Sequence, residues 1–408
     1  MLSVGPEVDN RNSGSNAHGG HNLACMRCTR MWAFPVLLLG GFACANLAHG
    51  QEIPAAKPLW RTDLRELGLG WRWESSRLLP YARVMEPLIT RDSIACGRDG
   101  HIVVAFLTQE MGGRRQSILA VEASRKLHLV SLDAATGRII ATRTWPAAPP
   151  ALQRPDVGAN RDGNFVFLQG NGVKVYSPDL HEISKLDLPA DPAGSRSGWS
   201  LSVLPRGDLA ILEHDLNGSR GLQMLSATTL REIPSWNKLD KFEWASEKYL
   251  ATWREDGLYV RAHDWQWRRI AEVTCPAPRQ PRPVRFVNED SLIVDSCGRI
   301  QLLRVDGQIL FTTELPGGHY LTGAWGTTDG RFVALATDKM AGITITALDM
   351  YRGPVPWRIL VYDIKNGNLI STLKFNWQFA CAFSPDSSGL ALLSGGLVEM
   401  FSLPQPSR

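Results

Sequence analysis

The chain lacks the linear signatures by which many catalytic sites can be read directly. No GxSxG elbow, no HExxH pair and no glycine-rich phosphate loop following a strand occurs in its 408 residues. Those absences remove the familiar hydrolase nucleophile, the zinc-protease helix and the P-loop from consideration. No pair of carboxylates stands where glycoside chemistry would need one. Excess charge of one sign is also missing: 44 basic residues face 40 acidic ones, for a net charge of +4. With no long basic run, nucleic acid is not an expected partner. No apolar run is long enough for a comfortable membrane span, and no CxxC pair occurs beyond residue 50.

Turn formers and short alternating apolar segments are abundant. There are 37 glycines and 25 prolines, and 44% of residues are hydrophobic. The stretch Trp357 to Leu403 shows the cadence best. Ile359–Asp363 and Leu369–Leu373 flank a Lys365-Asn366-Gly367 turn; then come Phe379–Phe383, a turn through Ser384-Pro385-Asp386 to Gly389, and two more short strands. Period-two alternation cut by Gly, Asn, Asp and Pro predicts antiparallel hairpins.

The cadence recurs upstream. The first turn of each unit falls at Gly100, Gly163, Gly207, Lys248, Asp290, Gly330 and Gly389, giving intervals of 63, 44, 41, 42, 40 and 59 residues. Four-stranded propeller blades have a repeat of about 40–45 residues. Both long intervals hold their extra residues between the second and third strands, at Thr108 to Lys126 and Thr337 to Trp357. The seventh unit has only three strands, and the segment around Trp60 is a strand without a hairpin. Joining the two predicts an all-β, seven-bladed β-propeller whose last blade is closed by the N-terminal strand. Trp71, Trp73 and Pro80 read as a linker between that strand and the first blade. Trp199, Trp244, Trp325 and Trp377 precede inner-strand turns and read as blade-packing residues.

Residues 1–25 are polar and aperiodic, an unstructured leader or a start-site artefact. Residues 26–50 read as a signal peptide: Arg27 and Arg30, the apolar run Met31 to Phe42, and Ala48-His49-Gly50 before Gln51. The expected mature chain is a propeller over residues 51–404, periplasmic or extracellular, with no stable membrane span. It would carry Cys96, Cys275, Cys297 and Cys381, as two disulfides or as buried thiols.

Phe383-Ser384-Pro385-Asp386 through Ala391 resembles the inner hairpin of WD-repeat propellers. Trp357 to Asp363 followed by Asn366-Gly367 resembles their third strand and turn. Leu132-Asp133 through Thr136-Gly137 is similar to quinoprotein-like and related bacterial propeller repeats. The resemblance covers nearly the whole mature chain and implies a binding platform, although some such folds are enzymes. It supplies no cofactor ligands, and no cofactor is expected.

Two functional readings follow. The first is an exported noncatalytic binding or scaffold module for a protein or cell-envelope ligand. It would use the face enlarged by the two insertions, with Arg114, Arg115, Arg279, Arg282, His319, Tyr320, Tyr351 and Arg352 as candidate contacts. The second is a hydrolase or lyase with a site at the central channel mouth. Glu213, His214 and Asp215 are weak metal candidates in an expected loop, while His101, His128 and His181 read as structural.

Overall fold

A computed structural model describes residues 56–404 apart from 70–71, 75–82, 91, 112–124, 147–155, 170–171, 189–197, 216–217, 227, 232–243, 255, 263–265, 273–281, 317–318, 339–356 and 376–378. Residues 52–408 form one compact unit. Its strands make seven antiparallel sheets in chain order, and each sheet is one blade. The inner strands are Ile94–Cys96, Val157–Ala159, Gly198–Val203, Trp244–Ala245, Arg282–Asn288, Tyr320–Gly326 and Phe379–Phe383, for blades 1 to 7.

Alternation along the strands explains why the sheets become a ring. In His101–Met111, Ile102, Val104 and Phe106 enter a core shared with blade 7. The intervening Val103, Ala105 and Leu107 enter a core shared with blade 2. Both faces of each sheet are therefore dry, so central strands read as continuous apolar runs. Further clusters fill the interfaces of blades 2 and 3, 3 and 4, 4 and 5, 5 and 6, and 6 and 7. Every adjacent pair shares a core, and blade 7 shares one with blade 1. The protein is a seven-bladed β-propeller.

The expected closure is present. Trp60–Asp63 pairs antiparallel with Leu397–Ser402, Trp60 opposite Met400 and Asp63 opposite Leu397. It also holds blade 1, because Trp60 Nε1 donates to the Ala134 carbonyl at 2.8 Å and Thr62 Oγ1 to the Gly137 carbonyl at 2.6 Å. Leu64 and Leu69, on either side of a 3₁₀ turn at Arg65–Leu67, are buried in the core between blades 7 and 1.

The expected linker is a correction. Arg72–Glu74 pairs with Arg83–Leu88, which pairs with the far half of His101–Met111, Val84 opposite Met111 and Leu88 opposite Leu107. Ile94–Cys96 occupies the near half of the same edge. The segment thus becomes sheet because the first insertion lengthens the second strand and leaves it an edge to fill. Blade 1 has six strands.

Candidate functional site

The candidate contacts on the insertion face divide into three groups. Arg114, Arg115, Arg279, Tyr351 and Arg352 lie outside the described residues. Arg282 and Tyr320 open the inner strands of blades 5 and 6. His319 precedes the blade 6 inner strand, and its Nδ1 lies 3.2 Å from the hydroxyl of buried Thr337.

Glu213, His214 and Asp215 are also corrected. They end the strand Leu209–Asp215 instead of occupying a loop, with an irregularity in register between Glu213 and His214. Among the described residues no three His, Cys, Asp or Glu side chains gather as a metal site. His128 has the structural role expected of it. It stacks on Phe106 at 4.7 Å, between the Thr108 and Thr144 hydroxyls at 2.9 and 3.1 Å. Burial, with Lys126 nearby, pushes its pKa down to about 4. His101 faces Asp99 at 3.0 Å and His181 faces Asp179 at 3.1 Å. Trp325 packs edge-on against Phe379 between blades 6 and 7, as a blade-packing residue should.

The lumen holds a cavity of about 220 Å³ lined from blades 1, 2, 3, 5, 6 and 7. Close approach of the inner strands is built into the sequence. A Cβ on Gly158 of blade 2 would lie 1.9 Å from Cγ2 of Val203 on blade 3. At one end, Arg285 of blade 5 reaches across the lumen to Asp92 of blade 1, Nη1 to Oδ1 at 3.3 Å. Asp92 is the one carboxylate among the described lining residues, and no histidine joins it. Cys96 and Cys381 line the wall as free, buried thiols, so neither forms a disulfide. Burial pushes Cys96 up to about 12 and raises Cys381 as well. Thiols held this far from ionisation are poor nucleophiles. Cys297 is disulfide-bonded to a partner outside the described residues.

The other end is ringed by the turns that join first to second strands. Blades 1, 2 and 3 present Arg98, Arg161 and Arg206 there, all exposed and all lining the cavity. Blades 4 and 5 present Glu247, Lys248 and Glu289. Arg206 pairs with Glu289, and its backbone N–H donates to Glu247. Lys248 completes the cluster, 2.6 Å from Glu289. Burial raises the Glu247 pKa, opposed by that backbone hydrogen bond. The three arginines were not singled out from sequence, although Arg98-Asp99-Gly100 and Arg161-Asp162-Gly163 repeat an arginine at one turn position and Arg206-Gly207 places another one residue later in the next unit.

Neither a protein-family model nor a curated protein matches the chain. Solved structures do. The Swd1 β-propeller domain of Myceliophteria thermophila is similar at 13% identity and a TM-score of 0.46, over 78% of this chain and all of that one. BamB from Moraxella catarrhalis is similar at 12% identity and a TM-score of 0.39, over 85% of this chain and 100% of that one. The chain's own fold is a seven-bladed β-propeller. A chain from the structure of a mitotic checkpoint complex is also similar, at 12% identity and a TM-score of 0.44, covering 92% and 99%. Strand order and the seven shared cores carry the assignment of this propeller; the likenesses are of fold alone.

Proposed function

We propose that the protein is an exported, noncatalytic binding module that presents loops on a rigid ring to a protein or cell-envelope ligand. The observation that carries this reading is the makeup of the lumen. Its described wall offers one carboxylate, already paired with Arg285, two thiols held protonated by burial, and no histidine. General acid–base work needs a titrating group within reach of a substrate, and this wall supplies none free for it. The inventory therefore favours binding over a hydrolase or lyase.

Blade 1 supports use of the insertion end. Its sheet continues past the Thr108–Lys126 pair, and an added hairpin braces the extension. A recognition loop rooted on braced strands loses less freedom on binding than a free loop. Affinity capture from the exported fraction tests the proposal, comparing the mature chain with variants shortened within 108–120 or 340–355. Loss of a reproducible partner with a native circular dichroism spectrum is expected. Capture unaffected by both deletions refutes the loop-face reading, and a mature N-terminus other than Gln51 refutes the processing step.

A further inference from the structure

We propose that the turn-side mouth of the lumen is a second binding site, for a small ligand bearing a multiply charged oxyanion, carboxylate or phosphate. Arg98 and Arg161 are its principal contacts and Arg206 its flank. First strands enter the turns at one end of each blade, and the two insertions leave from the other. The site is therefore independent of the loop-face reading.

Four observations converge. Arg98 and Arg161 occupy the same turn position in consecutive blades, Arg206 stands one place later in the next blade's turn, and all three line one cavity. The turns are locked together: a Cβ on Gly207 would lie 2.7 Å from the backbone nitrogen of Arg161, and one on Gly97 3.2 Å from the Gly163 carbonyl. The carboxylates that follow the arginines lie against other groups, Asp99 3.0 Å from the His101 ring and Asp162 accepting from the Thr228 hydroxyl at 2.6 Å, and form no ion pair with either guanidinium. Among the described residues Arg98 and Arg161 have no ion-pair partner, whereas Arg206 is held by Glu289.

A turn residue exposed to solvent is usually just solvated. Here two arginines without an ion-pair partner among the described residues stand on neighbouring, locked turns at the mouth of a lumen, and Asp92, the lining carboxylate, is tied at its far end. A concave site with like charges focuses the field on an entering anion. The planar guanidinium binds carboxylate and phosphate through two parallel hydrogen bonds. Thr328 of blade 6, exposed across the mouth, adds a neutral hydroxyl to the rim.

Isothermal titration calorimetry on the mature chain tests the site with inorganic phosphate and with citrate, separately, at fixed ionic strength. Saturable binding of at least one probe is expected, and the stronger of the two identifies the preferred oxyanion. Arg98→Ala and Arg161→Ala should each weaken it about tenfold, as loss of a charge-assisted hydrogen bond does. The double variant should abolish it, and the double lysine variant, which keeps charge but loses the fork, should retain weak binding. Arg299→Ala, an exposed arginine at the opposite end of blade 5, removes the same charge and should change affinity less than twofold as the control. No saturable heat with either probe, or equal weakening by Arg299→Ala, overturns the proposal. Capture of a partner through the insertion loops should be untouched by the double variant, so the two readings fail separately.

Discussion

Two glycines allow the closing strand to be weighed against an internal reference. Gly137 ends the turn between the third and fourth strands of blade 1, and Gly367 ends the same turn in blade 6. Their φ values are +73° and +72°. Each donates its N–H to the aspartate that opens its turn, Gly137 to Asp133 at 2.8 Å and Gly367 to Asp363 at 2.9 Å. Only their surroundings differ. A Cβ on Gly367 meets nothing within 4 Å, whereas one on Gly137 lies 2.5 Å from Trp60 Cε3 and 2.6 Å from Thr62 Oγ1. Alanine at either site carries the left-handed penalty of about 1–2 kcal/mol. At Gly137 it also displaces Trp60 and Thr62, whose two hydrogen bonds to blade 1 contribute about 1 kcal/mol each. The misfit of the indole adds about 1–2 kcal/mol. Gly137→Ala should therefore cost about 4–6 kcal/mol and Gly367→Ala about 1–2 kcal/mol. Guanidinium chloride unfolding of residues 51–408 reads the difference, and amide exchange over residues 59–63 should accelerate only in Gly137→Ala. Equal destabilisation by the two variants, or unchanged exchange in the closing strand, refutes the claim that Trp60–Asp63 holds the seam.

Three further outcomes are expected. His128 binds a proton less readily folded than unfolded, so stability is fully present above about pH 6.5 and is lost as pH falls toward 4. Discounted for partial solvent access, the loss is roughly 1–2 kcal/mol, and it should vanish from the pH dependence of thermal unfolding in His128→Gln. Cys96 and Cys381 should resist iodoacetamide at neutral pH in the folded protein and label fully in denaturant; rapid native labelling read by peptide mass spectrometry would contradict their burial. Gly158→Ala should lower the unfolding midpoint through its collision with Val203, and Val203→Ala in the same chain should recover part of the loss. Purely additive losses would mean that the two inner strands are not in contact there.

The ring was legible because its grammar is local. Turn glycines at even spacing, and strands whose two residue parities are both apolar, report blades buried on both sides. The orphan strand at Trp60 and the three-strand final unit then required each other. What escaped was set by geometry between repeats. Pro80 and Pro87 interrupt the alternation that would mark Arg72–Glu74 and Arg83–Leu88 as a hairpin, and both strands exist because a neighbouring strand is overlong. Arg285 sits within an inner strand and crosses to Asp92, a pairing between distant repeats that leaves no local mark in the sequence. The lumen arginines were visible only as ordinary turn residues, since which turn position faces the axis is decided by blade packing. Glu213 to Asp215 looked like a loop because Asn217-Gly218 follows, but the strand runs on to Asp215.

The N-terminal closure also orders events in time. Arg61 and Glu399, paired at 2.7 Å, are 338 residues apart in the chain. The strand at Trp60–Asp63 therefore has no sheet partner until almost the whole ring has been synthesised. Contacts of such long range form late, because the loop they close carries its full entropic cost beforehand. Until then the sides of Trp60, Leu64 and Leu69 that meet blade 7 remain uncovered, together with the blade 1 face they share with it. A nascent chain arrested before Leu397 would expose both edges of the seam at once, the state in which a propeller is most open to aggregation or to a strand borrowed from a second copy.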